Sequence, residues 1–116
     1  MIVKVLWTIG FLIGMTTHSL DLINFGWLPY DFRPLLWNVY WTSLTFLDPL
    51  AAGLIWVQER WGIGLGVAIM ASNITINGYT LALGYDGFLY PLVLQSAFGA
   101  FVFFVAWRHW QASRSA

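Results

Sequence analysis

The chain has 116 residues, of which 59% are hydrophobic, 19% aromatic and only 9% charged. Soluble domains carry about 25% charged residues, so this composition excludes a water-covered globular surface and predicts one small integral membrane domain. Five Lys and Arg balance five Asp and Glu, which removes the basic footprint of a nucleic-acid binder; with no cysteine, disulfides, thiolate metal sites and iron–sulfur clusters are excluded too.

A helix crossing about 30 Å of hydrocarbon needs roughly 20 apolar residues, and four stretches of that length follow one another. The first covers about 5–24 and ends before Gly26 and Pro29. Lys4 ahead of an apolar run resembles a signal peptide, but no small-x-small cleavage site follows, so a retained span is expected. The second covers about 35–57, opened by Pro34 and closed by Gln58-Glu59-Arg60. The third covers about 61–83 and is stopped by Gly84-Tyr85-Asp86-Gly87. The fourth covers about 89–110, with Pro91 in its first turn, where a proline gives up no helical hydrogen bond. The runs are continuous rather than alternating and twice the length of barrel strands, which excludes a β-barrel. The expected fold is an all-α, polytopic bundle of four transmembrane helices.

Four spans place both termini on one side of the bilayer. That side carries Lys4, Arg60, Arg108 and Arg114, and the opposite side only Arg33, so the positive-inside rule predicts cytoplasmic N and C termini. The expected location is the bacterial inner membrane. Trp7, Trp56, Trp61, Trp107 and Trp110 fall at the inner ends of the spans, and Trp27, Tyr30, Trp37, Tyr85 and Tyr90 near the outer ends, as interfacial belts would.

Polar residues inside the spans carry the functional signal. An Asp near a helix centre costs about 2.5 to 3.5 kcal/mol on the insertion scale, so it faces other helices or water. His18 and Asp21 are three apart and share a helix face, continuing a packing stripe of Trp7, Phe11 and Gly14. They read either as a proton-donor pair or as a hydrogen-bonded cap on the outer helix end. In the second span, Asn38, Trp41, Thr45 and Asp48 recur at three- and four-residue intervals and form one inward face. Asp48-Pro49 lies ~20 Å from the outer end of that span. Pro49 removes a backbone donor and disturbs the carbonyl one turn earlier, near Thr45, leaving groups that neighbours or water must satisfy. A carboxylate beside such a kink is a candidate site for a ligand, proton or cation; the alternative is interhelical glue. Asn73 and Asn77 share a face of the third span, and Gln95 sits in the fourth; such amides either line a cavity or bridge helices.

Together, His18, Asp21, Asn38, Trp41, Thr45, Asp48, Asn73, Asn77 and Gln95 are expected to line one pocket with flat aromatic walls. No cofactor or metal is expected. His18 and His109 lie at different depths and cannot clamp one haem, and three clustered His and carboxylate ligands are lacking. Balanced Lys and Arg, which a dual-topology exporter needs, are absent as well.

His18 and Asp21, Pro29-Tyr30-Asp31-Phe32-Arg33-Pro34-Leu35-Leu36, Asp48-Pro49-Leu50, the polar run 72–79 and Gln95 together resemble the emopamil-binding protein and sterol isomerase (EXPERA) group of four-helix membrane proteins. The resemblance implies a membrane cavity for sterols or cationic amphiphiles, with Asp21 and Asp48 at the acidic positions and His18 as a proton donor. The isomerases are similar to His-x-x-x-Glu where this chain has His-x-x-Asp, and their last-helix Asn–Trp pair is here Gln95 and phenylalanines. The expected function is binding of a small lipophilic molecule with Asp48 as its central polar anchor. His18, Asp21 and Asp48 are the candidates for any isomerase-like proton transfer. The alternatives are an accessory subunit of a larger membrane complex and a small transporter. Expected partners are the lipid bilayer, the lipophilic ligand, and other membrane proteins or a second copy of the chain.

Overall fold

A computed structural model describes residues 1–115 and resolves them into α1 (Ile2–Phe25), α2 (Leu35–Val57), α3 (Glu59–Ala82), a 3-10 turn (Asp86–Phe88) and α4 (Leu89–Ser115), with no strand among the described residues. The chain forms two compact units, Met1–Gly62 and a second beginning at Ile63, so the boundary falls inside α3.

In the first unit, α1 and α2 form an antiparallel pair. Near the chain start, Lys4 Nζ lies 3.7 Å from Glu59 Oε2, and the Trp56 indole N–H donates to Thr8 Oγ1 at 2.8 Å. Further along, the Trp7 indole N–H donates to the Ala51 carbonyl at 3.1 Å. The core between the helices contains Trp7, Phe11, Trp41, Leu44, Ala51, Ala52 and Ile55, with the Trp7 and Phe11 rings 5.2 Å apart. Trp7 is thus a fully buried core residue, 0% exposed, and not the interfacial anchor expected of it. It belongs instead to the packing stripe on the same helix, where its one polar atom has found a carbonyl partner.

The joints of this unit have local causes. Gly26, at φ +89, terminates α1 while its N–H donates to the Leu22 carbonyl at 2.9 Å, a left-handed ending that glycine adopts without steric cost. Pro34 is extended (φ −52, ψ 152), and its carbonyl takes the N–H groups of Trp37 and Asn38 at 3.0 and 3.2 Å. At the corner after α2, a Cβ on Gly62 would sit 2.6 Å from the Ile55 nitrogen and 2.8 Å from the Leu54 carbonyl carbon. Only glycine lets the two backbones meet this closely.

In the second unit, α3 ends in a Schellman arrangement: Gly84 (φ +105) donates to Leu81 at 2.9 Å and Tyr85 to Thr80 at 3.4 Å. A 3-10 turn then leads into α4, whose third residue is Pro91. The helix runs beyond residue 110 to Ser115.

Beside an apolar core, the helices bury several polar side chains and leave many large apolar ones exposed. Asn38, Thr42, Asp48, Asn73, Asn77 and Thr80 are buried, whereas Ile13, Ile23, Phe46, Val93, Phe104 and Trp110 are exposed. Among the described residues, α1 and the segment Asp86–Arg114 are long and apolar enough to cross a membrane.

Candidate functional site

The polar residues of the first unit gather in two separate places. One lies where the connection between α1 and α2, residues 26–34, folds back on both helices. Leu28 stands at φ +53, a left-handed conformation that costs an ordinary L-residue roughly 1 to 2 kcal/mol. Asn38 holds it there. Its Nδ2 donates to the Leu28 carbonyl at 3.0 Å, and its Oδ1 accepts the Tyr30 N–H at 2.9 Å. The Thr42 hydroxyl approaches the same Oδ1 at 3.5 Å. One buried amide thus clamps the loop and aims Tyr30 between α1 and α2.

The aim of Tyr30 organises the acid and the histidine. Its hydroxyl donates to Asp21 Oδ2 at 2.6 Å, the separation of a hydroxyl bonded to a carboxylate. The phenol has one proton, so toward His18 Nδ1, 2.9 Å away, the same oxygen must accept. Nδ1 therefore carries hydrogen, and Nε2 is the ring nitrogen left for other partners. Burial, then the hydrogen bond to Asp21 and the charge of that carboxylate, push the Tyr30 phenol well above its ordinary range. Tyr30 accordingly stays a phenol at any physiological pH and holds His18 and Asp21 in line. Its ring meets Trp41 edge-on at 5.6 Å, and Phe32 stacks on the other ring system of that contact at 6.0 Å from Trp41.

Over this line lies an open-sided pocket of about 280 Å³, lined by Asp21, Phe25, Pro29, Tyr30 and Phe32. Asp21 is its only carboxylate. Asp48, expected as the central anchor, is not among the lining residues.

Asp48 lies deeper along the helix pair. It is 4% exposed, and its carboxylate rests on Gly14, where a Cβ would come 2.5 Å from Oδ2 and 3.2 Å from Cγ. Gly14 precedes Asp21 by seven residues, about 10 Å of helix rise. No hydrogen bond joins Asp48 to His18 or Asp21 among the described residues. Thr45, one turn before Asp48, has a buried hydroxyl without a hydrogen-bond partner.

The remaining expected residues form their own cluster in the second unit. The two hydrogens of Asn77 Nδ2 go to Asn73 Oδ1 at 3.0 Å and Gln95 Oε1 at 2.7 Å, tying α3 to α4. Here neutral amides satisfy one another, as interhelical bridges do.

Sequence reasoning placed His18, Asp21 and Asn38 together and missed the residue that joins them. Tyr30 reads in the sequence as an aromatic at a helix mouth, which suits an interfacial belt. Thr42 sat one position from the polar face traced through Trp41 and Thr45. No known protein family, characterised protein or solved structure matches the chain.

Proposed function

We propose that this is an integral membrane protein in which all four helices span the bilayer with cytoplasmic termini, and that its first unit binds the basic head group of a lipophilic amine at Asp21. The membrane reading is supported by the many exposed large apolar side chains, by the two helices apolar enough to cross a bilayer and by the Lys/Arg bias between loops. The expected location remains the bacterial inner membrane, with the Asp21 pocket toward the outer face.

The observation that carries the binding reading is the Asp21 carboxylate in a pocket with aromatic walls. Tyr30 occupies Oδ2, which fixes the carboxylate, while Oδ1 is left to accept from a ligand. Phe25 and Phe32 line the pocket with aromatic rings, a residue type that attracts cations. A volume of about 280 Å³ is near the lower end of small-ligand pockets, about 300 to 1,000 Å³. It suits a head group or a single ring, with the tail lying in lipid along the exposed Ile23 and Phe25. Isomerase chemistry of the kind the EXPERA resemblance implies would draw on the same line, with Asp21 toward the ligand and His18 behind Tyr30.

Binding of a lipophilic tertiary amine to the chain in lipid nanodiscs tests the reading. Asp21→Asn should weaken binding at least about tenfold, in keeping with 1.5–3 kcal/mol for a hydrogen bond to a charged group. A neutral analogue with the same tail should bind poorly to both proteins. Equal binding of amine and neutral analogue would sink the proposal. Native mass spectrometry of gently extracted protein separates the rival reading: a 13.2 kDa chain or its multiple with a small adduct supports a binder. Unrelated chains without an adduct would make it an accessory subunit.

A further inference from the structure

Away from the Asp21 pocket, the middle of α2 holds a buried acid, Asp48, for which no ion pair is seen among the described residues. Asp48 is 4% exposed, and no hydrogen bond or ion pair reaches it among the described residues. An isolated buried carboxylate is strongly unfavourable, so native proteins pair it, protonate it or give it a metal ion. Two further oxygens belong to Thr45, three residues earlier on the same helix. Pro49 has no N–H, so the Thr45 carbonyl lacks the donor that residue 49 supplies in an ordinary helix. Thr45 Oγ1 is itself buried and unpartnered. Thr45 and Asp48 are three apart and share a face. Helical side chains lean toward the N-terminus, which carries the Asp48 carboxylate back over the turn of Thr45. Across from them, Gly14 presents bare backbone where a Cβ would strike Oδ2, so that oxygen can close on α1 while Oδ1 stands farther off.

We infer that the Asp48 carboxylate, the Thr45 carbonyl and Thr45 Oγ1 form a binding site for one desolvated hard monovalent cation, Na⁺ or K⁺. The chemistry of the donors selects this class. All are oxygens, which suit hard cations, and neither thiolate nor imidazole is present for a softer metal. A single carboxylate balances one positive charge, whereas all-protein divalent sites gather several. No group of three or more His, Asp or Glu that could hold a metal ion occurs among the described residues. The proline supplies the third donor by leaving a carbonyl open at membrane depth, where an unpaired backbone group is otherwise unfavourable.

The test is thermal unfolding of the purified full chain in detergent, in NaCl, KCl and choline chloride at one ionic strength. Na⁺ or K⁺ should raise Tm above the choline value, and the rise should grow with the logarithm of concentration, as for any ligand of the folded state. Asp48→Asn should abolish the difference. Thr45→Val should raise the half-saturating concentration at least tenfold, while Thr45→Ser, which keeps the hydroxyl, should leave it near that of the unaltered protein. Asp21→Asn should leave the effect intact, so the cation site and the amine pocket stand or fall separately. Identical Tm in all three salts, as a bound proton alone would give, overturns the proposal, and so does a cation effect that survives in Asp48→Asn. If Asp48→Asn does not fold, the Thr45→Val and Thr45→Ser pair decides: equal cation responses in the two overturn the site.

Discussion

The two ends of the polar face on α2 behave differently. At Asn38 the polar groups are linked: Leu28, Tyr30, Asp21 and His18 form one hydrogen-bonded run. At Thr45 and Asp48, about two to three turns further along α2, the Thr45 hydroxyl is buried without a partner, and the buried Asp48 has no ion pair among the described residues. The same periodicity produced both ends, so spacing alone does not distinguish structure from demand. A satisfied network fixes a shape, whereas an unsatisfied one calls for something the chain does not supply.

The satisfied end can be broken most severely at Asn38. Asn38→Ala removes the acceptor for the Tyr30 N–H and the donor to the Leu28 carbonyl, and it frees a residue held at φ +53. Two hydrogen bonds at about 0.5 to 1.5 kcal/mol each, with partners left part-buried, predict a loss of about 2 to 4 kcal/mol. Amine binding should vanish with it, because Tyr30 would no longer be aimed at Asp21. Chemical unfolding in mild detergent measures the first, nanodisc binding the second. A variant that keeps full stability would show that the loop is positioned by something other than this amide.

A smaller effect separates the phenol from its surroundings. Tyr30→Phe removes the bond to Asp21 and the acceptor for His18, for a loss of about 1 to 2 kcal/mol near neutrality. Its pH dependence is the sharper readout. Burial and Asp21 raise the Tyr30 phenol above its ordinary value, so the folded chain holds this proton more tightly than the unfolded chain. The linked stability is fully present below the ordinary phenol range, about pH 10, and is lost as pH rises through the folded-state value. The difference in unfolding free energy between the unaltered protein and Tyr30→Phe should therefore shrink with alkaline pH. A difference that stays constant above pH 10 would mean Tyr30 is not held as a proton donor to Asp21.

How much of this was legible depended on range. Helical spacing alone revealed the faces: His18 with Asp21, Asn38 through Asp48, and Asn73 with Asn77 all lie where three- and four-residue intervals put them. The breaks at Gly26, Pro34 and Gly84 marked helix ends because φ preferences act locally. What spacing could not reveal was the return of the loop. Tyr30 reaches Asp21 only because Leu28 accepts a left-handed conformation that its own side chain disfavours, and because Asn38, eight residues beyond Tyr30, holds it. Trp7 was ambiguous for a related reason. An indole near a span end suits an interface or a core equally well until its N–H finds the Ala51 carbonyl. Its place on one stripe with Phe11 and Gly14 was the signal that favoured the core.

The second unit offers the mildest test of the contrast, because its polar cluster contains neither acid nor base. Asn77 spends both amide hydrogens on Asn73 and Gln95, and Gln95 is the only member of that trio on α4. Interhelical hydrogen bonds of this kind average about 0.6 kcal/mol in a membrane and reach about 1.7, since the unfolded chain also finds partners there. Gln95→Leu, which removes the α4 acceptor and keeps most of the volume, should therefore lower stability by no more than about 1 to 2 kcal/mol. Amine affinity and the salt dependence of Tm should both stay unchanged, since neither proposed site uses this amide. If Gln95→Leu weakened either one, the amides of the second unit would belong to a site after all, and the division between fastening groups and binding groups drawn along α2 would fail.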